Sequence, residues 1–191
     1  LGRRVRYGRV DGPSPGDPHY RQWVPPVADL FGDEAEQTTG ADHHIMFTAP
    51  GNLGESVLGT PMTFPRSFLT AQLDYFGIGY ENYDTAIGIG PAIVATASVD
   101  RDEVAATVTD SGYEPATAYA GYDRYTRSDI PRTVAVGDGS IVFASGDDSQ
   151  AAVHAILDAK AGRGRRRHET DEQFAAITNA AGSRPFTWLG P

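Results

Sequence analysis

Asp42, His43 and His44 stand side by side, and a carboxylate beside two imidazoles is a donor set that could hold a divalent metal. A metal held this way activates water for hydrolysis. The triplet alone does not close a site, because a metal centre needs further donors or a second cluster. The structural alternative is a loop that enters a strand with its histidines exposed. His168-Glu169 opens like the metalloprotease pattern His-Glu-x-x-His, but Glu172 stands where the closing histidine belongs. The simpler reading is the first turn of a helix, where acidic side chains favour the dipole. Gly54-Glu55-Ser56-Val57-Leu58 begins like a nucleophile elbow and ends in Leu.

Other chemistries are short of residues. No cysteine is present, which removes thiol catalysis, disulfides and iron–sulfur ligation within the chain. Lys160 is the sole lysine and is followed by Ala161, so no phosphate-binding Gly-Lys loop exists. A Schiff base at Lys160 is formally open, against the plainer role of a lysine favouring a helix C-terminus. Gly77, Gly79, Gly88 and Gly90 do not form a dinucleotide fingerprint, and no cofactor is expected.

Two groups could bind rather than react. Tyr113, Tyr119, Tyr122 and Tyr125, with Tyr75, Tyr80 and Tyr83, could line a groove, since a tyrosine ring is apolar and its tip polar. The same residues are common in half-buried strands. Arg165, Arg166 and Arg167, next to Arg163 and His168, form a basic run that could take a phosphate or an acidic partner. The alternative is a loop that pairs with the protein's own carboxylates. One patch without interleaved aromatics gives little nucleic-acid specificity, so a protein or small-molecule partner is the expectation.

The elements that must carry these residues read as follows. Residues 1–42 are rich in Pro, Gly, Asp and Arg and predict an extended segment, with Tyr20, Trp23, Val24 and Val27 able to pin it to the body. Residues 43–191 read as one domain. A strand is expected over His43–Ala49 and a helix from Phe64-Pro65 to Phe76. Ile87, Ile89, Ile93, Ala95, Ala97 and Val99 fall on odd positions, as one strand face interrupted by Gly90-Pro91. Asp100 with Glu103 predicts a capped helix with Val104 and Val108 inward and Gly112 past its end. Tyr119–Tyr125 reads as extended, with Gly121 as a break or bulge. Asp138-Gly139 is a strong hairpin signal. A helix capped at Asp147 or Asp148 ends at Gly162, and a last one begins at Thr170 with Gln173 and stops at Gly182. This order predicts an α+β fold, an antiparallel sheet with helices on one face, its finer form being two strand–helix–strand halves in a ferredoxin-like arrangement.

Several stretches carry a resemblance. Ser98–Val104, Ser111-Gly112-Tyr113, Tyr119–Tyr122, Val134-Ala135-Val136 with Asp138-Gly139, and Ile156–Gly162 resemble a group of haloarchaeal exported proteins and lipoproteins that has no established activity. The likeness covers residues 86–182 and implies a cell-surface location, with a lipid-attached cysteine upstream, over a cytoplasmic one. Asp42-His43-His44 is also similar to the triplet of a family of metal-dependent phosphoesterases, whose Asp-x-Asp strand has no counterpart before residue 42.

Composition agrees with the first likeness. The chain has 191 residues, 25 acidic and 16 basic, and a formal charge of −9. All the basic residues but Lys160 are arginine, which pairs in a planar, bidentate way with carboxylates. Such self-repulsion is relieved at about 1 M salt, where the Debye length is about 3 Å. A halophilic binding or structural module is therefore the leading expectation, with a metal-dependent hydrolase at Asp42, His43 and His44 as the alternative. Leu, Ile, Val and Phe make up 38 of 191 residues, near the composition of disordered chains. The capped, periodic segments argue for a folded body instead. No run approaches the length of a membrane-spanning helix.

Overall fold

The computed structural model describes residues 18–31, 44–50, 78, 82–184 and 186–189. Within them a 3-10 helix (His19–Trp23) and α1 (Val27–Phe31) precede β1 (Ile45–Thr48), β2 (Thr85–Ile89) and β3 (Ala92–Thr96). Then come α2 (Arg101–Asp110) and the strands β4 (Glu114–Tyr119), β5 (Tyr122–Arg127), β6 (Arg132–Gly137) and β7 (Ser140–Ser145). The helices α3 (Ser149–Ala161), α4 (Arg167–Thr170) and α5 (Glu172–Ala181) and the strand β8 (Phe186–Leu189) complete the order. The helix expected near residues 64–76 lies outside the described residues.

The eight strands form one antiparallel sheet in the order β4-β5-β6-β7-β3-β2-β1-β8. Counting alternations along this order, β3 and β4 point the same way although three strands separate them. No hairpin can make such a connection. Residues 97–113 make it instead, with α2 packed across β5 and β6. The fold is thus α+β, as expected. The finer expectation of two ferredoxin-like halves finds no support in this order, because β1 and β2 are antiparallel neighbours and not a parallel pair around a third strand.

Helices cover both faces of the sheet, which corrects the expectation of one. On one face Val94, Ala135, Val142 and Ala144 meet Val153, Ile156 and Leu157 of α3. On the other, Val134, Val136, Ile141 and Phe143 meet Val104 and Val108 of α2. The cause is in the strands themselves: Val134-Ala135-Val136 and Ile141-Val142-Phe143-Ala144 are continuous apolar runs, as a doubly buried strand requires. Burying one side chain the size of Ile156 or Leu157 is worth about 1.5–3 kcal/mol.

The turns set which residue faces which side. Gly90-Pro91 is a two-residue hairpin turn that pairs Ile89 with Ala92 and Ile87 with Val94. Odd positions of β2 therefore share a face with even positions of β3. Ile87 and Ile89 belong to the α3 face, whereas Ile93, Ala95 and Ala97 belong to the α2 face, so the run of odd positions is not one face. Asp138-Gly139 closes the β6–β7 hairpin as expected, with Gly137 opposite Ser140. Only Gly139 has positive φ there. The turn with two positive φ values is Ala120-Gly121, at 55° and 87°, the pattern of a type I′ turn. Tyr119–Tyr125 is accordingly the end of β4 and the start of β5, with the expected break at Gly121 made by this turn.

Caps follow the expected positions in part: Asp148 stands at the N-cap of α3, but its side chain makes no capping hydrogen bond. Asp100 accepts from the backbone of Asp102 at 2.8 Å and Glu103 at 3.3 Å, and Gly162 ends α3 with φ 70°. The last helix is capped by Asp171, which accepts from Phe174 N at 2.8 Å, and not by Thr170, which belongs to α4. His19–Trp23 and Val27–Phe31 are helical where an extended segment was expected, and residues 18–31 place Tyr20, Trp23, Val24 and Leu30 in the core on the α3 face.

Candidate functional site

The 3-10 helix is held to the body from two sides. Arg21, buried, donates from Nε to Thr178 Oγ1 at 2.7 Å and from Nη2 to the Ala175 carbonyl at 2.6 Å and to the Thr178 hydroxyl. A charge-assisted bond of this kind contributes about 1.5–3 kcal/mol. Lys160 at the end of α3 donates to Gln22 Oε1 at 2.7 Å and lies 4.8 Å over the Trp23 ring. Burial first, and Arg166 second, pull the Lys160 ammonium below its ordinary range. The lone lysine is thus a structural contact between α3 and the 3-10 helix.

These anchors leave a cleft of about 550 Å³ between the 3-10 helix and the end of the sheet where β1 and β3 stop and β2 starts. His19, Tyr20, Trp23, Phe47, Tyr83 and Asp84 contribute to its walls. Tyr20 packs on Phe47 with ring centroids 5.1 Å apart. Thr85 and Thr96 face each other across the floor with their hydroxyls 2.7 Å apart. Tyr20 is 1% exposed, and its hydroxyl has no hydrogen-bond partner among the described residues. Burial raises its pKa above the ordinary phenol value, and the neighbouring Arg21 opposes that rise. An unmet buried hydroxyl costs about 1–3 kcal/mol, so a polar ligand atom reaching Tyr20 would recover part of that cost. The ionisable groups at the rim, His19 and Asp84, are both exposed. Aromatic walls and a polar rim are suited to binding.

The residues nominated from sequence go elsewhere. Tyr113 and Tyr125 lie in the core on the α2 face, whereas Tyr119 and Tyr122 pack on the α3 face. Tyr119 and Tyr122 are opposite each other across the type I′ turn, and three residues from Tyr122 to Tyr125 reverse the face. The four do not share one surface. Each ring on the α3 face is also engaged: Tyr119 donates to Asp158 Oδ2 at 2.8 Å, and the Tyr122 hydroxyl is 2.7 Å from Ser140 Oγ. The Tyr122 ring lies flat enough on Gly137 that a Cβ there would stand 2.6 Å from its Cδ1. Tyr83 lines the cleft, while Tyr75 and Tyr80 lie outside the described residues.

The arginine run is tied into its own loop. Arg163 holds Asp158 from Nε at 2.9 Å and Nη2 at 2.6 Å. Arg166 donates to the Ala159 carbonyl at 3.0 Å, and its backbone N–H to Glu169 at 2.9 Å. Arg167 pairs with Asp171 at 3.2 Å and lies 4.6 Å over the Phe174 ring. Arg165 is exposed. Asp42 and His43 lie outside the described residues. His44 precedes β1, with its ring 6.0 Å from that of Trp188. Among the described residues no three metal-ligating side chains gather.

Sequence reasoning missed Tyr20 as a site residue, since the prolines around it read as a tether. It also missed His154, which stacks on Tyr119 and meets Arg124; the only hint was its placement four residues before Asp158 on one helix. No family model, curated protein or solved structure matches the chain.

Proposed function

We propose that this protein is a non-catalytic binding module adapted to high salt, and that its ligand enters the cleft beside the 3-10 helix. The observation that carries this reading is a cleft of about 550 Å³ lined by Tyr20, whose hydroxyl is buried and unpartnered among the described residues. That volume suits a small molecule or the end of a chain, since such sites span about 300–1,000 Å³. The ligand is polar with an apolar side: the rings of Tyr20, Trp23 and Phe47 take the apolar side, and Tyr20, Asn82 and Asp84 offer hydrogen bonds. NMR mapping with glucose, N-acetylglucosamine and a capped dipeptide tests it. Shifts should concentrate at Tyr20, Trp23, Tyr83 and Asp84. Shifts confined to residues 113–125 would move the site to the tyrosine ribbon, and no shift with any probe would count against binding here.

Salt adaptation, with the cell surface of a halophile as the setting, is supported by composition and by how the charges are placed. No described carboxylate is buried. Arg101–Asp123, Arg127–Asp129, Arg163–Asp158 and Arg167–Asp171 are all arginine–aspartate pairs near the surface. Surface pairs contribute little individually, about 0–1 kcal/mol. The net charge of −9 therefore acts mainly as repulsion that salt screens. The urea midpoint of unfolding should rise between low salt and about 1 M KCl. A midpoint that stays flat across that range contradicts the reading.

A further inference from the structure

His154 sits half-buried on α3, facing the β4–β5 hairpin at the edge of the sheet. Its ring stacks on Tyr119 at 3.8 Å with 14° between planes. Its Nε2 lies 2.8 Å from Nη1 of Arg124 on β5. A guanidinium has donors only. Nε2 must therefore be the acceptor, and the imidazole is neutral with its proton on Nδ1. Arg124 is 9% exposed, and its buried Nε has no partner among the described residues. The guanidinium thus leans on a neutral histidine rather than on a carboxylate. The nearby carboxylate, Asp158, is one turn further along α3 and is already taken by the Tyr119 hydroxyl at 2.8 Å and by Arg163.

The groups facing His154 are thus Tyr119 from β4, Arg124 from β5 and Asp158 from its own helix, with Arg163 beyond Asp158. Tyr119 is neutral at ordinary pH, since hydrogen bonding to Asp158, then burial, raises its phenol. Among the described residues β4 is an edge strand bonded only to β5, so this cluster helps hold the hairpin to α3. We propose that His154 is a pH-operated latch: its protonation sets two donors against each other at Arg124 and frees the β4–β5 hairpin, Glu114 to Arg127, from α3.

The sign follows from the environment. Burial first, and Arg124 second, lower the pKa of His154 below the ordinary 6.5, with Asp158 opposing. The unfolded chain therefore binds this proton more readily than the folded one. The latch is fully closed above the ordinary imidazole value and opens as pH falls through the lower, folded value. The experiment combines an NMR titration of the His154 ring with hydrogen exchange of residues 114–127 at about pH 7.5 and about pH 5. His154→Gln is the control, since its amide oxygen still accepts from Arg124 but does not titrate. In the wild type, His154 should titrate below its ordinary value, and hairpin protection, corrected for intrinsic exchange, should fall several-fold at the lower pH. The variant should keep its protection at both. A His154 that titrates at or above the ordinary value overturns the latch, and so does an equal loss of protection in the variant. The wild-type titration decides alone if the variant does not fold.

Discussion

The tyrosine hairpin and the segment around Tyr20 make opposite use of their aromatic residues. In the hairpin, Tyr113 and Tyr125 fill one face of the core, while Tyr119 and Tyr122 hydrogen-bond to Asp158 and Ser140 on the other. In residues 18–24, Tyr20 and Trp23 are equally buried, yet the Tyr20 hydroxyl is unmet among the described residues and a cleft opens beside it. A dense run of tyrosines is therefore a poor guide to a binding site. The better guide is an unmet polar group on a residue that lines a cleft.

That contrast can be broken from the hairpin side. Gly137→Ala should cost about 1–3 kcal/mol, because the new Cβ strikes the Tyr122 ring and the core is already packed. Combined with Tyr122→Ala the cost of the glycine change should largely vanish, and chemical denaturation of the four proteins checks the coupling. If Gly137→Ala is neutral alone, the ring is not fixed by its surroundings and Tyr122 regains interest as a contact residue. A smaller effect of opposite sign is expected at the turn. Ala120 holds φ 55°, a region that costs a residue with a Cβ about 1–2 kcal/mol. Ala120→Asn creates Asn-Gly in a type I′ turn and should raise stability by about 0.5–1 kcal/mol. A thermal melt reads it, and a lower melting temperature would show that the turn is held by something other than its own backbone.

Much of the α2–α5 region was legible because its signals are local. Asp100, Gly112, Gly162 and Gly182 mark helix ends by their own side chain or by the lack of one, and Asp138-Gly139 marks its hairpin. What failed was parity and reach. A two-residue turn at Gly90-Pro91 transfers the apolar set from odd to even positions, and a count along the chain does not see it. Gly121 marks a break between Tyr119 and Tyr122, but Ala120 gives no sign of positive φ, so the type of turn was not legible. The continuous apolar strands β6 and β7 carry the sign of a sheet covered on both faces, whereas the element order does not say on which side each helix lies. The cleft was not legible, because it depends on Arg21 reaching Thr178 and Ala175, more than 150 residues along the chain.

The claim that Tyr20 is free for a ligand has a direct test in the unfolding free energy of Tyr20→Phe. Removing a buried hydroxyl that the fold does not use should raise stability, by up to about 1–3 kcal/mol. A loss of more than about 1 kcal/mol would mean that the hydroxyl already has a structural partner, and the cleft would then lose the observation on which its function rests.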